Sequence, residues 1–269
     1  MKEYLINLWH QYINLHLHLS LCLILFVLFQ YKSVGGMTST PFLFLLYVAT
    51  LLVYNLHDIN IKDFRNVPKI KKSIVFLCGS IIICLFPFLS RNVLLSLIPA
   101  AIVATFYILP LMKGSQKLRD LPWIKIFALS GVLSYCSVII PLIDVGVDKW
   151  VIFLIFLSRM VFFLALGLVF DIRDIDADRA QPLKSFPVYL GLYRSKWLIF
   201  LLLCISTGLD FYMVNHFIIE LSIFISLFLT NVVFLFFLRF NISQKNANKF
   251  SFLADGLLSL PFSFYLILA

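Results

Sequence analysis

Charge is what this sequence has least of: of 269 residues, 13% are Asp, Glu, Lys or Arg, against 62% hydrophobic. A water-soluble domain of this size covers its surface with far more charge, so that class is excluded. Ten-residue segments of alternating polar and apolar residues are also missing, which excludes a transmembrane β-barrel. No small-residue cleavage site follows the N-terminal apolar stretch, and Glu3 stands beside Lys2, so the first span reads as permanent and not as a signal peptide. Cysteines are few. Cys22, Cys78, Cys84, Cys136 and Cys204 all lie in apolar segments, without His or Cys at metal-ligand spacing, which argues against disulfides and zinc. His16 and His18, two residues apart, point to different helix faces and read as structural.

What the chain does have is apolar runs near ~20 residues, the length a helix needs to cross about 30 Å of hydrocarbon. They predict an all-α integral membrane bundle of about nine spans, near residues 14–31, 40–56, 74–89, 93–112, 124–143, 150–170, 197–214, 217–238 and 252–268. Residues 1–13, with Trp9, read as an interfacial amphipathic turn. The basic residues are sorted by loop. Lys62, Arg65, Lys69, Lys71 and Lys72 follow the second span, and Lys113, Lys117, Arg119 and Lys125 the fourth. Arg173, Arg179, Lys184, Arg194 and Lys196 follow the sixth, and Arg239, Lys245 and Lys249 the eighth. Odd-numbered loops hold only Lys32, Arg91 and Lys149. Positive charge stays on the cytoplasmic side, so the even loops and the N-terminus are expected inside and the C-terminus outside. A bacterial inner membrane is the expected location. This bias and anionic lipid account for the net charge of +9, and nucleic acid is not an expected partner.

The polar chemistry is concentrated at the cytoplasmic end of the sixth span, in FDIRDIDADRAQPLKSFPVYLG, residues 170–191. At about 100° per residue, Asp171, Asp174 and Asp178 fall within about 60° of one another, and Asp176 points elsewhere. Three stacked carboxylates repel unless a cation joins them. Mg²⁺ suits them: it takes one or two carboxylates and fills its octahedron with water and substrate phosphate. The competing reading is an acidic helix end paired locally with Arg173 and Arg179. Lys184 and Ser185, followed by Pro187 and Gly191, form a turn able to bring a cation over the acids, where a metal–phosphate site uses one.

This stretch resembles the second Asp-rich motif of the UbiA-type intramembrane prenyltransferases: D-x-x-D-x-x-x-D, then a basic residue, a hydroxyl residue, a proline-bearing turn and L-G. Asp171, Asp174, Asp178, Lys184, Ser185, Pro187 and Gly191 match it. Tyr107 followed by Lys113 resembles the family's Y…K element near the diphosphate. The first Asp-rich motif, expected at the end of the second span, departs from the pattern. Asn55 and Asp63 match, but Leu56 and Ile59 stand where acids belong. Asn55, Asp58 and Lys62 nevertheless repeat the i, i+3, i+7 spacing of the three acids. The segments near 55–66 and 171–185 read as an internal pseudo-repeat within one transmembrane domain, with Lys62 standing where a third acid would recruit a metal.

The resemblance implies a UbiA-like bundle and a Mg²⁺-dependent transfer of an isoprenyl group from an isoprenyl diphosphate to a lipophilic, aromatic acceptor. Asp171, Asp174 and Asp178 are then the metal and catalytic residues. Lys184, Lys113, Tyr107, Lys62, Asn55 and Asp58 are the diphosphate-binding residues. A terpene cyclase, or a non-catalytic isoprenoid-binding or partner-binding protein, is the alternative on the same scaffold. A transporter would show broken helices and midplane sites, and the upstream D-G element of CDP-alcohol phosphotransferases is absent. Arg159 lies twelve residues before Asp171, about 18 Å along the same helix. A charge at that depth faces the bundle interior or a wet cavity, so Arg159 is a candidate cavity residue. The 29 Phe residues offer ring faces to a carbocation, but most pack or meet lipid.

Overall fold

A computed structural model describes residues 2–59, 67–109, 118, 121–180, 185–239 and 247–269, and every regular element among them is helical. Six segments are long and apolar enough to cross a membrane unaided: Thr40–His57, Lys69–Phe88, Arg91–Ile108, Trp123–Val145, Lys149–Arg173 and Leu192–Asn215. Two further segments are bent pairs, Leu8–Asn14 with Leu17–Ser33 at 58° and Ala247–Gly256 with Leu260–Leu268 at 44°. The last, Leu221–Phe237, is a shorter apolar helix of 17 residues. The nine expected spans therefore appear, among the described residues, as six continuous, two broken and one short.

In chain order the helices are α1 (Lys2–Asn14), α2 (Leu17–Ser33), α3 (Thr40–Asp58), α4 (Lys69–Leu85), α5 (Arg91–Ile108), α6 (Pro122–Ser134) and α7 (Ile140–Val145). They continue as α8 (Lys149–Arg173), α9 (Ile175–Arg179), α10 (Phe186–Leu190), α11 (Leu192–Asn215), α12 (Leu221–Phe237), α13 (Ala247–Gly256) and α14 (Leu260–Leu268). Helix α8 is apolar all round, the mark of a helix surrounded by others. It is the most buried span, at 56%, and packs against α6, α11 and the short α10. Gly167 lets α6 approach, since a Cβ there would lie 2.9 Å from Cγ1 of Ile126. Helix α4 is 6% buried and faces outward. In the middle of the bundle the rings of Phe26, Phe162, Phe163 and Phe234 pack at centroid distances of 5.3–6.1 Å. This spacing suits edge-to-face and offset contacts.

The irregular points have local causes. Between α6 and α7 a π-helical turn, Tyr135–Ile139, precedes Pro141, whose ring cannot sit over the carbonyl four residues back. Between α1 and α2, His16 takes a left-handed conformation at φ 59°. Non-helical backbone inside a membrane protein needs polar partners from its neighbours. Asn55 of α3 supplies one, donating from Nδ2 to the Leu15 carbonyl at 3.0 Å. His18, just past the same break, reaches the Phe252 carbonyl of α13 through Nε2 at 2.9 Å, and the Tyr12 hydroxyl through Nδ1 at 3.1 Å. The two broken spans thus brace each other, and His18 is the structural histidine that the sequence suggested.

Candidate functional site

Helix α8 reaches its end without losing register. The Asp174 N–H still bonds to the Phe170 carbonyl at 3.1 Å and the Asp178 N–H to the Asp174 carbonyl at 2.9 Å, on either side of a one-residue irregularity at Asp174. Asp171 faces inward and is 1% exposed. Asp176 points to solvent and pairs with Arg179 at 3.3 Å, and Asp178 lies between these extremes. Asp174 and Asp178 are near enough to add repulsion at Asp171.

A lysine counted in the sequence as one of several loop charges is the nearest cation to the buried acid. Pro122 opens α6, with its fixed φ and missing N–H suited to a first turn, and Lys125 lies in that turn. Its Nζ stands 3.0 Å from Oδ1 of Asp171, whose side chain is 2% exposed while that of Lys125 is 30% exposed. A buried carboxylate is costly without a partner, and the ammonium provides one. Oδ2 of Asp171 is also buried and has no hydrogen-bond partner among the described residues. Tyr107 of α5 and Asp178 lie within electrostatic reach of the same ammonium.

Asp174 is held differently. The Arg173 guanidinium forms a two-pronged bond to it, Nε to Oδ1 and Nη2 to Oδ2, both at 2.8 Å. Nη1 of Arg173 donates to Ser251 of α13 at 3.0 Å, and the guanidinium lies over the rings of Phe170 and Phe250 at 5.1 and 5.7 Å. Arg173 thus ties the acidic helix end to α13. That helix also carries Asp255, an acid 8% exposed and within the electrostatic reach of Arg173, which the motif reading did not single out.

On the α3 side, Asn55 is fully buried, and its amide N–H₂ is divided between the carbonyls of Leu15 and Leu51, at 3.0 and 2.9 Å. Its Oδ1 is buried without a partner. Tyr107 is buried, and its ring stacks on His57 at 5.9 Å, which joins the end of α3 to the end of α5. Asp58 belongs to the last turn of α3, but its side chain lies outside the described residues. Lys62, Lys113 and Lys184 lie outside them altogether. Ser185 and Pro187 are buried and lead into α10, which packs on α8 and α9. Gly191 ends that turn at φ 79°, a conformation that glycine reaches without strain. The proline-glycine turn therefore does fold back against the acidic helix.

Arg159 is 1% exposed, in the interior as its depth requires. Its partner is Asp210 of α11: Nη1 donates to Oδ1 and Oδ2 at 2.9 and 3.1 Å, and to the Ser158 hydroxyl at 3.0 Å. Ser158 in turn donates to Asp210 at 2.8 Å and lies 3.2 Å from the Ser206 hydroxyl. The guanidinium is taken up by a helix–helix contact.

Among the described residues no three His, Cys, Asp or Glu side chains form a preassembled metal-binding group. The donors nevertheless suit a hard divalent cation of the Mg²⁺ type, which rarely uses an all-protein cage. Asp171 presents a buried oxygen with no hydrogen-bond partner among the described residues, and half-buried Asp178 lies within electrostatic reach of Lys125. Asp174 already accepts one hydrogen bond from Arg173 at each oxygen and keeps further lone pairs for a cation.

No family model and no curated protein sequence matches the chain. Solved structures do. A UbiA homologue from Aeropyrum pernix K1, in its apo form, superposes with a TM-score of 0.61 at 16% identity, covering 94% of this chain and 97% of that one. A UbiA homologue from Archaeoglobus fulgidus bound to Cd²⁺ gives 0.59 at 14%, covering 95% and 98%. A structure concerned with digeranylgeranylglyceryl phosphate synthase in membranes gives 0.60 at 14%, covering 99% and 98%. The chain is an integral, multi-pass membrane protein with the UbiA fold over its whole length.

Proposed function

We propose that this chain is a UbiA-type prenyltransferase, which moves an isoprenyl group from an isoprenyl diphosphate to a lipophilic, aromatic acceptor with Mg²⁺ as cofactor. The observation that carries the reading is Asp171: a carboxylate buried at the mouth of a UbiA-fold bundle, one oxygen on a lysine and the other bare. Asp171, Asp174 and Asp178 are the residues that would hold Mg²⁺, which when bound offsets the charge of the departing diphosphate. Lys113, Lys184 and Lys62 are the further cations assigned to that diphosphate, with Tyr107, Asp58 and Asn55 at its rim. The allylic C–O bond breaks, the diphosphate leaves with the electron pair, and the carbocation forms a C–C bond to the acceptor, which loses a proton. The apolar span interiors keep water away from the cation. The site opens to the cytoplasm and the membrane is a bacterial inner membrane, on the basic-residue bias of the even loops.

One pair of contacts favours the non-catalytic, isoprenoid-binding alternative: Lys125 and Arg173 already neutralise two of the three acids. The two readings separate when the purified protein is incubated with labelled prenyl diphosphates of several chain lengths, with and without Mg²⁺, beside candidate aromatic acceptors. Mg²⁺-dependent release of diphosphate with prenylated acceptor is the expected result. Released diphosphate with a cyclised hydrocarbon indicates a cyclase. Binding without release refutes the transferase.

A further inference from the structure

Among the described residues no second acidic cluster stands with the acidic face of α8 and α9. At the end of α3 the matching positions offer Asn55, whose amide is committed to two backbone carbonyls, and one acid, Asp58. A prenyl diphosphate carries several negative charges, and one Mg²⁺, which Asp171, Asp174 and Asp178 would hold, leaves charge for lysines to take up. The bundle contains a fixed positive charge in the right place. Lys125 Nζ is 3.0 Å from Asp171 Oδ1, and its stem rises from a turn that is pinned on three counts. Pro122 starts the helix. The Gly167 contact with Ile126, the residue after Lys125, fixes the approach of α6 to α8. Asp171 is itself nine-tenths buried and more, so the carboxylate cannot move away to be solvated. The Lys125 side chain, by contrast, is 30% exposed, and its ammonium has three donors, of which Asp171 uses one.

We infer that Lys125 is a built-in cation of the diphosphate site: it holds Asp171 in the empty protein and donates to the diphosphate when that arrives, in place of a metal ion that a second acidic cluster would recruit. This rests on the prenyl-diphosphate reading and adds a residue to it. It also assigns the bare Oδ2 of Asp171. That oxygen stays available to a cation because the lysine occupies only Oδ1. Asp171 thus serves the lysine through Oδ1, and Oδ2 is the atom that would be left for a metal.

The test is binding of geranylgeranyl diphosphate to the detergent-purified protein across a Mg²⁺ titration that begins in EDTA. Wild type, Lys125→Gln and Lys125→Arg are compared, with thermal melting of each without ligand as the folding control. The inference expects measurable wild-type affinity in EDTA, lost about ten- to hundredfold in Lys125→Gln, the range for a hydrogen bond to a charged group. Lys125→Arg keeps the charge and most of the EDTA affinity. Saturating Mg²⁺ then recovers part of the Lys125→Gln loss. If wild type binds with Mg²⁺ and Lys125→Gln binds equally well at every Mg²⁺ concentration, Lys125 serves only to neutralise Asp171 and the inference falls alone. If wild type binds no prenyl diphosphate at any Mg²⁺ concentration, the functional reading falls and takes the inference with it. Should Lys125→Gln melt before measurement, Lys125→Arg decides: EDTA affinity close to wild type supports a charge role, and its complete loss overturns it.

Discussion

The pair formed by Arg159 and Asp210 permits a sharp energetic prediction. Both side chains are 1–2% exposed, and Asp210 accepts from Arg159 at two oxygens and from Ser158 at one. Replacing Asp210 with Leu leaves a guanidinium at mid-membrane depth with no counter-charge. The expected cost is about 3–5 kcal/mol, the range for removing one member of a buried ion pair. Replacing both, as Arg159→Met with Asp210→Leu, removes the stranded charge along with its partner. Two apolar side chains of similar volume then fill the α8–α11 contact, and stability should return to within about 1 kcal/mol of wild type. An alternative estimate is much lower, because polar pairs between membrane helices average about 0.6 kcal/mol in double-mutant cycles. The two differ because those pairs are mostly neutral and find other partners when broken, whereas a guanidinium has few. Unfolding can be followed through a thiol-reactive fluorophore, since Cys22 and Cys78 are buried in the fold. The order expected on heating is the Asp210→Leu single variant first, with the double variant near wild type. A double variant that melts with the single, or a single variant that melts with wild type, refutes the reasoning.

Asp174→Asn should weaken Mg²⁺-dependent prenyl-diphosphate binding at least about tenfold, while Asp176→Asn, exposed and off the face, stays within about twofold; isothermal titration of both checks it, and equal losses contradict the helical-face assignment. Asn55→Ala removes the donor that braces the break between α1 and α2, and should cost about 1–3 kcal/mol in thermal melting, the penalty for a buried acceptor left unsatisfied. A variant that melts like wild type shows that Leu15 needs no such brace.

The bundle was legible in the sequence because bilayer thickness fixes helix length, and the lack of ten-residue alternating segments rules out the other spanning structure. The departures were local. The span near 252–268 reads as a single run, because hydropathy averages over a window and does not register the Leu257–Ser259 turn, and residues 1–13, read as an interfacial turn, form a helix bent by 58° from the span that follows. The helix break at Leu15 and helix α13 at Phe252 are held by partners far off in sequence, Asn55 and His18. No local pattern carries that information.

Site residues divide along the same line. The i, i+3, i+7 acids are a local pattern, and the structure buries Asp171, leaves Asp178 half-buried and turns Asp176 outward. Lys125 is a residue of the same chemistry, but the positive-inside rule absorbs it: a lysine near a span end already has a topological explanation, so nothing marks it as special. The signal was present in another form. Pro122 starts a helix, which makes Lys125 a first-turn residue and not a loop residue, and a lysine gains nothing from the positive end of a helix dipole. A cation placed there against the dipole points to an anion that pays for it, and Asp171 is that anion. Asp210 could have been found by the same kind of accounting. Arg159 and Asp210 are lone opposite charges inside two apolar spans, and each is untenable in hydrocarbon without the other. Pairing such orphans before naming a catalytic role assigns Arg159 to the α8–α11 contact and leaves Lys125, whose partly exposed side chain reaches the buried Asp171, as a cation with chemistry still to do.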